Sequence, residues 1–321
     1  MSKKRIFFIA LAAYTLIPAL YSQIKHTHKD TEINIPLMIQ TEKTLSLTDD
    51  LKQLYEKSVE SESGKILTAS SVAGDIEIST WDKNEVEVKI KGNEEAEKNL
   101  IFDCYKTDEG VKIDCGQKKE GHFNNLDLQI IVTIPSDYTV DLFTGGGNIT
   151  VQDLKGSVKM NTSGGNIEIN RTNGSIAAFT SGGNISTQDN TGTIELSSSG
   201  GMISALNYTG NISASTLGGH IVLKGSDGFI KASTSGGNIR IDYTGKNDGI
   251  DASTLGGNIV ANLPSDFSAD ADIGTLAGRV DCDFAKADNE KISTFLKTKF
   301  NSGGKILKCI TSGGNIVITK K

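Results

Sequence analysis

Asp153, Arg171 and Asp189 lie eighteen residues apart. Any fold that sets residue i beside residue i+18 stacks them as acid, base and acid. Such a column could hold an acid, a base or a sugar, which is the chemistry a polysaccharide lyase or hydrolase needs. It also works as an ion ladder that keeps like charges apart, a plainer role that suits exposed charges. Four histidines offer little more. His26-x-His28 has metal-binding spacing but no further ligand beside it, and His122 and His220 stand alone. The many Gly-Gly pairs invite comparison with calcium-binding nonapeptides, but these repeats lack the third glycine and the recurrent aspartate. Calcium asks for six to eight oxygens, so Asp153 or Asp189 would offer an isolated site at most. No helix is expected after any pair, which removes the dinucleotide fingerprint, and no Gly-x-Ser-x-Gly elbow is present. The expectation is a chain with no catalytic residues, metal or cofactor.

Four cysteines allow three pairings. If Glu109-Gly110 is a two-residue hairpin loop, Cys104 and Cys115 face each other and could bridge, or both could remain buried thiols. Cys282 and Cys309 are left as a second possible pair. No Cys-x-x-Cys occurs.

These residues are positioned by a repeat. Gly147, Gly156, Gly165, Gly174, Gly183, Gly192, Gly201, Gly210, Gly219, Gly228 and Gly237 recur every nine residues. Two places after each comes Ile or Val, and two further on a second, mostly apolar residue: Ile149 and Val151, Ile167 and Ile169, Ile185 and Thr187. Period-two alternation between glycines reads as one short strand and one turn. Gly-Gly pairs return every eighteen residues from Gly146 to Gly236, so two strands make one coil. A lone coil cannot bury its apolar face and must stack on copies of itself. The predicted fold is all-β: a parallel β-solenoid, or β-helix, with 18-residue coils of two nonapeptide strands, about 4.8 Å per coil and roughly ten coils. An irregular β-rich part precedes it.

Stacking turns the corner residues into ladders. Gly147-Asn148, Gly165-Asn166, Gly183-Asn184 and Gly237-Asn238 form one, interrupted by Met202 and His220. A turn with positive φ would explain glycine and asparagine there, and stacked Asn side chains could bond along the row. Turn chemistry explains this row without a ligand.

Residues 1–22 read as a signal peptide: Lys3, Lys4 and Arg5, then an apolar stretch from Ile6 to Ile17, with cleavage near Ser22 and Gln23. These are the only charges in the segment, so cleavage takes the net charge from −6 to −9. Acidity, with 6 % aromatics, argues against nucleic acid as a partner. No later stretch has the length of a membrane span. The chain divides into residues 1–22, a lead-in 23–54, N-terminal β-rich coils and hairpins 55–144, a regular solenoid 145–262, and C-terminal irregular coils with a cap 263–321.

The succession Gly74-Asp75-Ile76-Glu77-Ile78, Trp81-Asp82, Val86-Glu87-Val88, Ile134-Pro135, the Gly-Gly-Asn-Ile coils and the closing Gly-Gly-Asn-Ile-Val-Ile resembles the DUF4097 family of adhesin-type β-solenoids of bacterial envelopes. The resemblance covers about residues 55–321. It implies a β-helical fold and a periplasmic or surface setting, and it brings no catalytic residues. The expected function is an exported, non-enzymatic solenoid presenting polar rows to a glycan or an envelope protein. The rivals are a polysaccharide-active enzyme on a β-helix and a passive envelope component.

Overall fold

The computed structural model describes residues 51–119, 121, 125–285 and 294–321. Two thirteen-stranded sheets face each other across a thin core. Each short segment forms a strand because Ile, Val, Leu or Ala alternates with a polar residue, so one face of the segment is apolar. Eleven parallel rungs, each with one strand in the back sheet and one in the front sheet, make the stack.

In spatial order, rung 1 is Gly110–Gln117 with Leu128–Pro135, and rung 2 is Ile66–Ser71 with Asp75–Trp81. Rung 3 is Thr139–Thr144 with Ile149–Gln152, rung 4 is Val158–Thr162 with Ile167–Asn170, and rung 5 is Ile176–Thr180 with Ile185–Gln188. Rung 6 is Ile194–Ser198 with Ile203–Thr209, rung 7 is Ile212–Thr216 with Ile221–Ser226, and rung 8 is Gly228–Thr234 with Ile239–Tyr243. Rung 9 is Asn247–Thr254 with Ile259–Leu263, rung 10 is Ile306–Thr311 with Ile316–Lys320, and rung 11 is Ala269–Thr275 with Val280–Cys282.

The eighteen-residue stacking is direct: Ile167 pairs with both Ile149 and Ile185, and Ile176 with both Val158 and Ile194. Ile149, Ile167, Ile185, Ile203, Ile221, Ile239, Ile259 and Ile316 form one buried column, each fully packed side chain contributing about 1.5–3 kcal/mol. Between rungs 8 and 9 the period stretches to twenty: Ile230 pairs with Ile250, and Ile239 with Ile259. The sheets run unbroken through residues 144 and 262.

Both ends depart from chain order. Rung 2 comes first in the sequence yet lies between rungs 1 and 3, and rung 10 comes last yet lies between rungs 9 and 11. Antiparallel strands close the ends: Glu85–Gly92 and Lys52–Glu60 on the front sheet, Leu100–Lys106 and Phe295–Phe300 on the back sheet. A short helix, Glu94–Asn99, joins two of them.

Candidate binding surface

The Gly-Gly-Asn ladder sits at the corner where back-sheet strands pass to the front sheet. Its glycines are needed for a reason other than turn geometry. Gly165, Gly183, Gly201, Gly219 and Gly237 are absent from the left-handed conformations, as are Asn148, Asn166, Asn184 and Asn238. Instead, a Cβ on Gly165, Gly183 or Gly237 would lie 1.8 to 2.0 Å from the carbonyl oxygen of the glycine one rung below. Glycine is there because backbones stack without room for a methyl group. Positive φ belongs to Gly147 at 140° and, chiefly, to the opposite corner.

The asparagine side chains do bond along the row, each to the backbone of the next rung rather than to the next side chain. Asn148 Oδ1 accepts from the backbone N–H of Asn166 at 2.9 Å, and Asn166 Oδ1 from that of Asn184 at 2.8 Å. Asn184 Oδ1 accepts from Met202 N–H, His220 Nδ1 from Asn238 N–H, and Asn238 Oδ1 from Asn258 N–H. Beneath them, buried Thr162, Thr180, Ser198, Thr216 and Thr234 each donate to the glycine carbonyl of the preceding rung at 2.8 to 2.9 Å. The ladder satisfies corner backbone groups that strand pairing leaves over.

The opposite corner carries the charges. Asp153, Arg171, Asp189 and Asn207 adopt φ of 61°, 53°, 57° and 54° and point to solvent. Arg171 donates to both carboxylate oxygens of Asp153, at 2.5 and 2.8 Å. Those bonds hold the Asp153 carboxyl below its ordinary range and raise the guanidinium. Asp189 accepts instead from Gln188 and Asn207. The column is therefore a chain of paired surface groups. Beside it run two further exposed rows: Lys155, Asn173, Thr191 and Thr209, joined by single bridges, and Ser157, Ser175, Thr193 and Asn211.

Where the period stretches, the loops of this corner lengthen and enclose a cleft of about 790 Å³. Asp227, Lys246, Asp266 and Lys305 line it, with Gly303 and Gly304 on one side. Tyr243 anchors the wall, donating to the Lys246 carbonyl, while its ring meets Phe267 edge-on at 6.0 Å. Burial pushes its phenol up to about 12. Sequence reasoning did not find this cleft. Its signals were the shift from eighteen to twenty residues between Gly236 and Gly256, and Gly303-Gly304, which falls outside the corner register.

The Cys104–Cys115 facing geometry is corrected by the hairpin register. Cys104 pairs with Ile113 and Cys115 with Phe102, because the loop is residues 107–110, centred one residue earlier than a Glu109-Gly110 turn. Cys282 lies on the front sheet and Cys309 on the back sheet, and all four are free thiols. Burial pushes Cys115 and Cys309 up to about 12, the mark of inert packing thiols. His26, His28 and His122 lie outside the described residues, as does the 1–22 signal segment. Among the described residues no group of three His, Cys, Asp or Glu is arranged to hold a metal ion.

The solved structures similar to this chain include the following three. A "putative adhesin" from Parabacteroides merdae is 15 % identical, with 83 % of this chain and 96 % of that one covered and a TM-score of 0.38. A "putative adhesin" from Bacteroides fragilis is 14 % identical, covering 84 % and 97 %, with a TM-score of 0.36. A "putative cell adhesion protein" from Clostridium sporogenes is 13 % identical, covering 84 % and 100 %, with a TM-score of 0.23. Among curated proteins no relative matches. The Toastrack DUF4097 family model spans residues 56–319, and the chain belongs to that family.

Proposed function

We propose that this protein is an exported, non-catalytic solenoid that binds a repeating polymer, a glycan of the cell envelope or its surroundings, along the charged corner and its cleft. One observation carries the reading. Rungs 3 to 6 repeat three exposed polar columns in register, and the columns lead toward a cleft lined by two carboxylates and two ammonium groups. A polymer whose units match a multiple of the ~4.8 Å rung spacing meets the same donors and acceptors again and again. Each contact is weak, and their number supplies the affinity. A binding role also fits the charged column, whose groups are exposed and already paired with one another. Among the described residues no helix is long and apolar enough to cross a membrane. Export rests on the 1–22 segment read from the sequence, and periplasm or cell surface is the setting proposed.

The test removes rungs. Deleting residues 167–184 splices Asn166 to Ile185 and preserves the repeat, and deleting 167–202 removes two rungs. Immobilised protein probed with glycan and envelope fractions should bind more weakly with each deletion, while circular dichroism stays that of a β-solenoid. Affinity independent of rung number would overturn the reading. Turnover of a glycan, abolished by Arg171→Ala or Asp189→Asn, would replace it with an enzyme.

A further inference from the structure

The Gly-Gly-Asn corner stands out by what it lacks. From rung 3 to rung 10 its six positions per rung, Phe143–Asn148 through Ile310–Asn315, contain no Asp, Glu, Lys or Arg, in a chain where 22 % of residues are charged. Charge returns only at the two ends: Asp75 on rung 2 and Arg279 on rung 11.

Within this strip, large apolar side chains stand out in the place just before the two glycines. Leu217 on rung 7, Leu255 on rung 9 and Leu276 on rung 11 are 64 %, 63 % and 82 % exposed. The rungs between them carry Ser235 and Ser312, both half-buried. The result is a row of knobs and recesses alternating rung by rung. Beside it, the exposed glycines Gly200, Gly218, Gly236, Gly256 and Gly313 add no side chain, so the edge is flat on that side. Apolar groups left open in this way mark contact surfaces.

We propose that this edge is the contact face of a two-fold, antiparallel dimer of this chain. In that arrangement rung n lies against rung 13 − n of the second copy, so odd rungs meet even ones. Leu217 then faces Ser199 of rung 6 and Leu255 faces Ser163 of rung 4, each knob over a small residue, while Leu276 meets the apolar Val72 of rung 2. Phe143 on rung 3, itself 47 % exposed, comes beside Ile310 on rung 10. Asp75 of each copy opposes Arg279 of the other. A parallel in-register pair would do the reverse, with leucine on leucine and Asp75 on Asp75. Size favours full overlap of the two edges. Ten rungs at ~4.8 Å give an edge of about 48 Å, and a width of about 15 Å gives on the order of 700 Å² per copy. That approaches the roughly 800 Å² per partner of a standard stable interface, whereas pairing only the leucine-bearing rungs would fall well short. A two-fold contact also closes at two copies. The charged corner stays outside the contact, and the strip can join two acidic chains because it brings no like charges together.

Sedimentation of the purified whole chain tests this, with Leu255→Asp as the disrupting variant and the double variant Asp75→Cys, Arg279→Cys as the register probe. The expected result is a dimer in the unaltered protein. Leu255→Asp weakens it about a hundredfold, since a carboxylate is forced into the contact, while circular dichroism is unchanged. Mild oxidation links the double cysteine variant into covalent dimers, and neither single cysteine variant links. A monomeric unaltered protein, a dimer indifferent to Leu255→Asp, or a double variant that does not link would each overturn the proposal.

Discussion

At Gly183 the backbone runs so close to rung 4 that an added Cβ would lie 2.0 Å from the Gly165 carbonyl oxygen. At its neighbour Gly182 the nearest atom to such a Cβ is 3.7 Å away, an ordinary contact. Neither glycine has positive φ, so conformational freedom does not separate them. The two alanine variants should therefore behave very differently. Gly183→Ala must push two rungs apart and should cost about 3 kcal/mol, the scale of overpacking in a rigid core. Gly182→Ala should lie within about 0.5 kcal/mol of the unaltered protein. Urea titrations of both variants measure the difference, and equal costs would show that the corner relaxes more easily than its stacked carbonyls imply.

At the scale of the strand, Asp242 ties three elements together. It sits on the outer face of Ile239–Tyr243, accepts from Asn262 on the next rung at 2.6 Å and from Arg240 at 3.0 Å, and lies 3.4 Å from the Lys321 ammonium. Burial pushes its carboxyl up, but the bonds from Asn262 and Arg240 outweigh that and hold it below its ordinary range. Its charged form thus stabilises the folded state. The contribution is complete above the unfolded aspartate value of about 3.9 and is lost as pH falls through the lower folded value. Asp242→Asn should cost about 1 kcal/mol at neutral pH, a figure reduced for partial exposure, and the gap should close in acid. Denaturation at the two pH values checks it. The strands themselves were legible in the sequence, because alternation and the nine-residue glycine step are local signals: Ile149–Gln152 and Ile194–Ser198 lie where the pattern puts them. The edge strand Lys52–Glu60 begins three residues inside the lead-in expected to run to residue 54. The helix Glu94–Asn99 was missed although it announces itself, with Asn93 capping Ala96 N–H and Glu94, Glu95 and Glu97 in the first turn. The cleft and the exposed leucines escaped for another reason. Each depends on which loops and corners become neighbours across rungs, and a one-dimensional period does not report that.

For the whole molecule, stacking order is the property no local pattern carried, and it governs how the stack comes apart. In a solenoid built in strict chain order, the last coil is an end coil, and losing it leaves a shorter solenoid. Here the last residues, 306–321, form rung 10, hydrogen-bonded on both sides to rungs 9 and 11. Leu307, Cys309, Ile316 and Ile318 are fully buried there. Beyond rung 11 the back sheet ends in Phe295–Phe300, whose Lys297 and Lys299 guard the open edge. Removing 306–321 therefore opens a gap one rung thick, leaving strand edges and apolar side chains unpaired on both of its walls. Deleting residues 167–184 removes a similar length of chain but lets like surfaces rejoin. The expected outcome is a contrast between two deletions of nearly equal size. The internal deletion keeps a single cooperative urea transition, slightly weakened. The chain ending at Lys305 loses cooperativity, exposes apolar surface to a hydrophobic dye, and regains its transition when a peptide of residues 306–321 is added in trans. A truncated chain that unfolds at the unaltered midpoint, with no response to the peptide, would mean that the inserted rung contributes nothing to the integrity of this end.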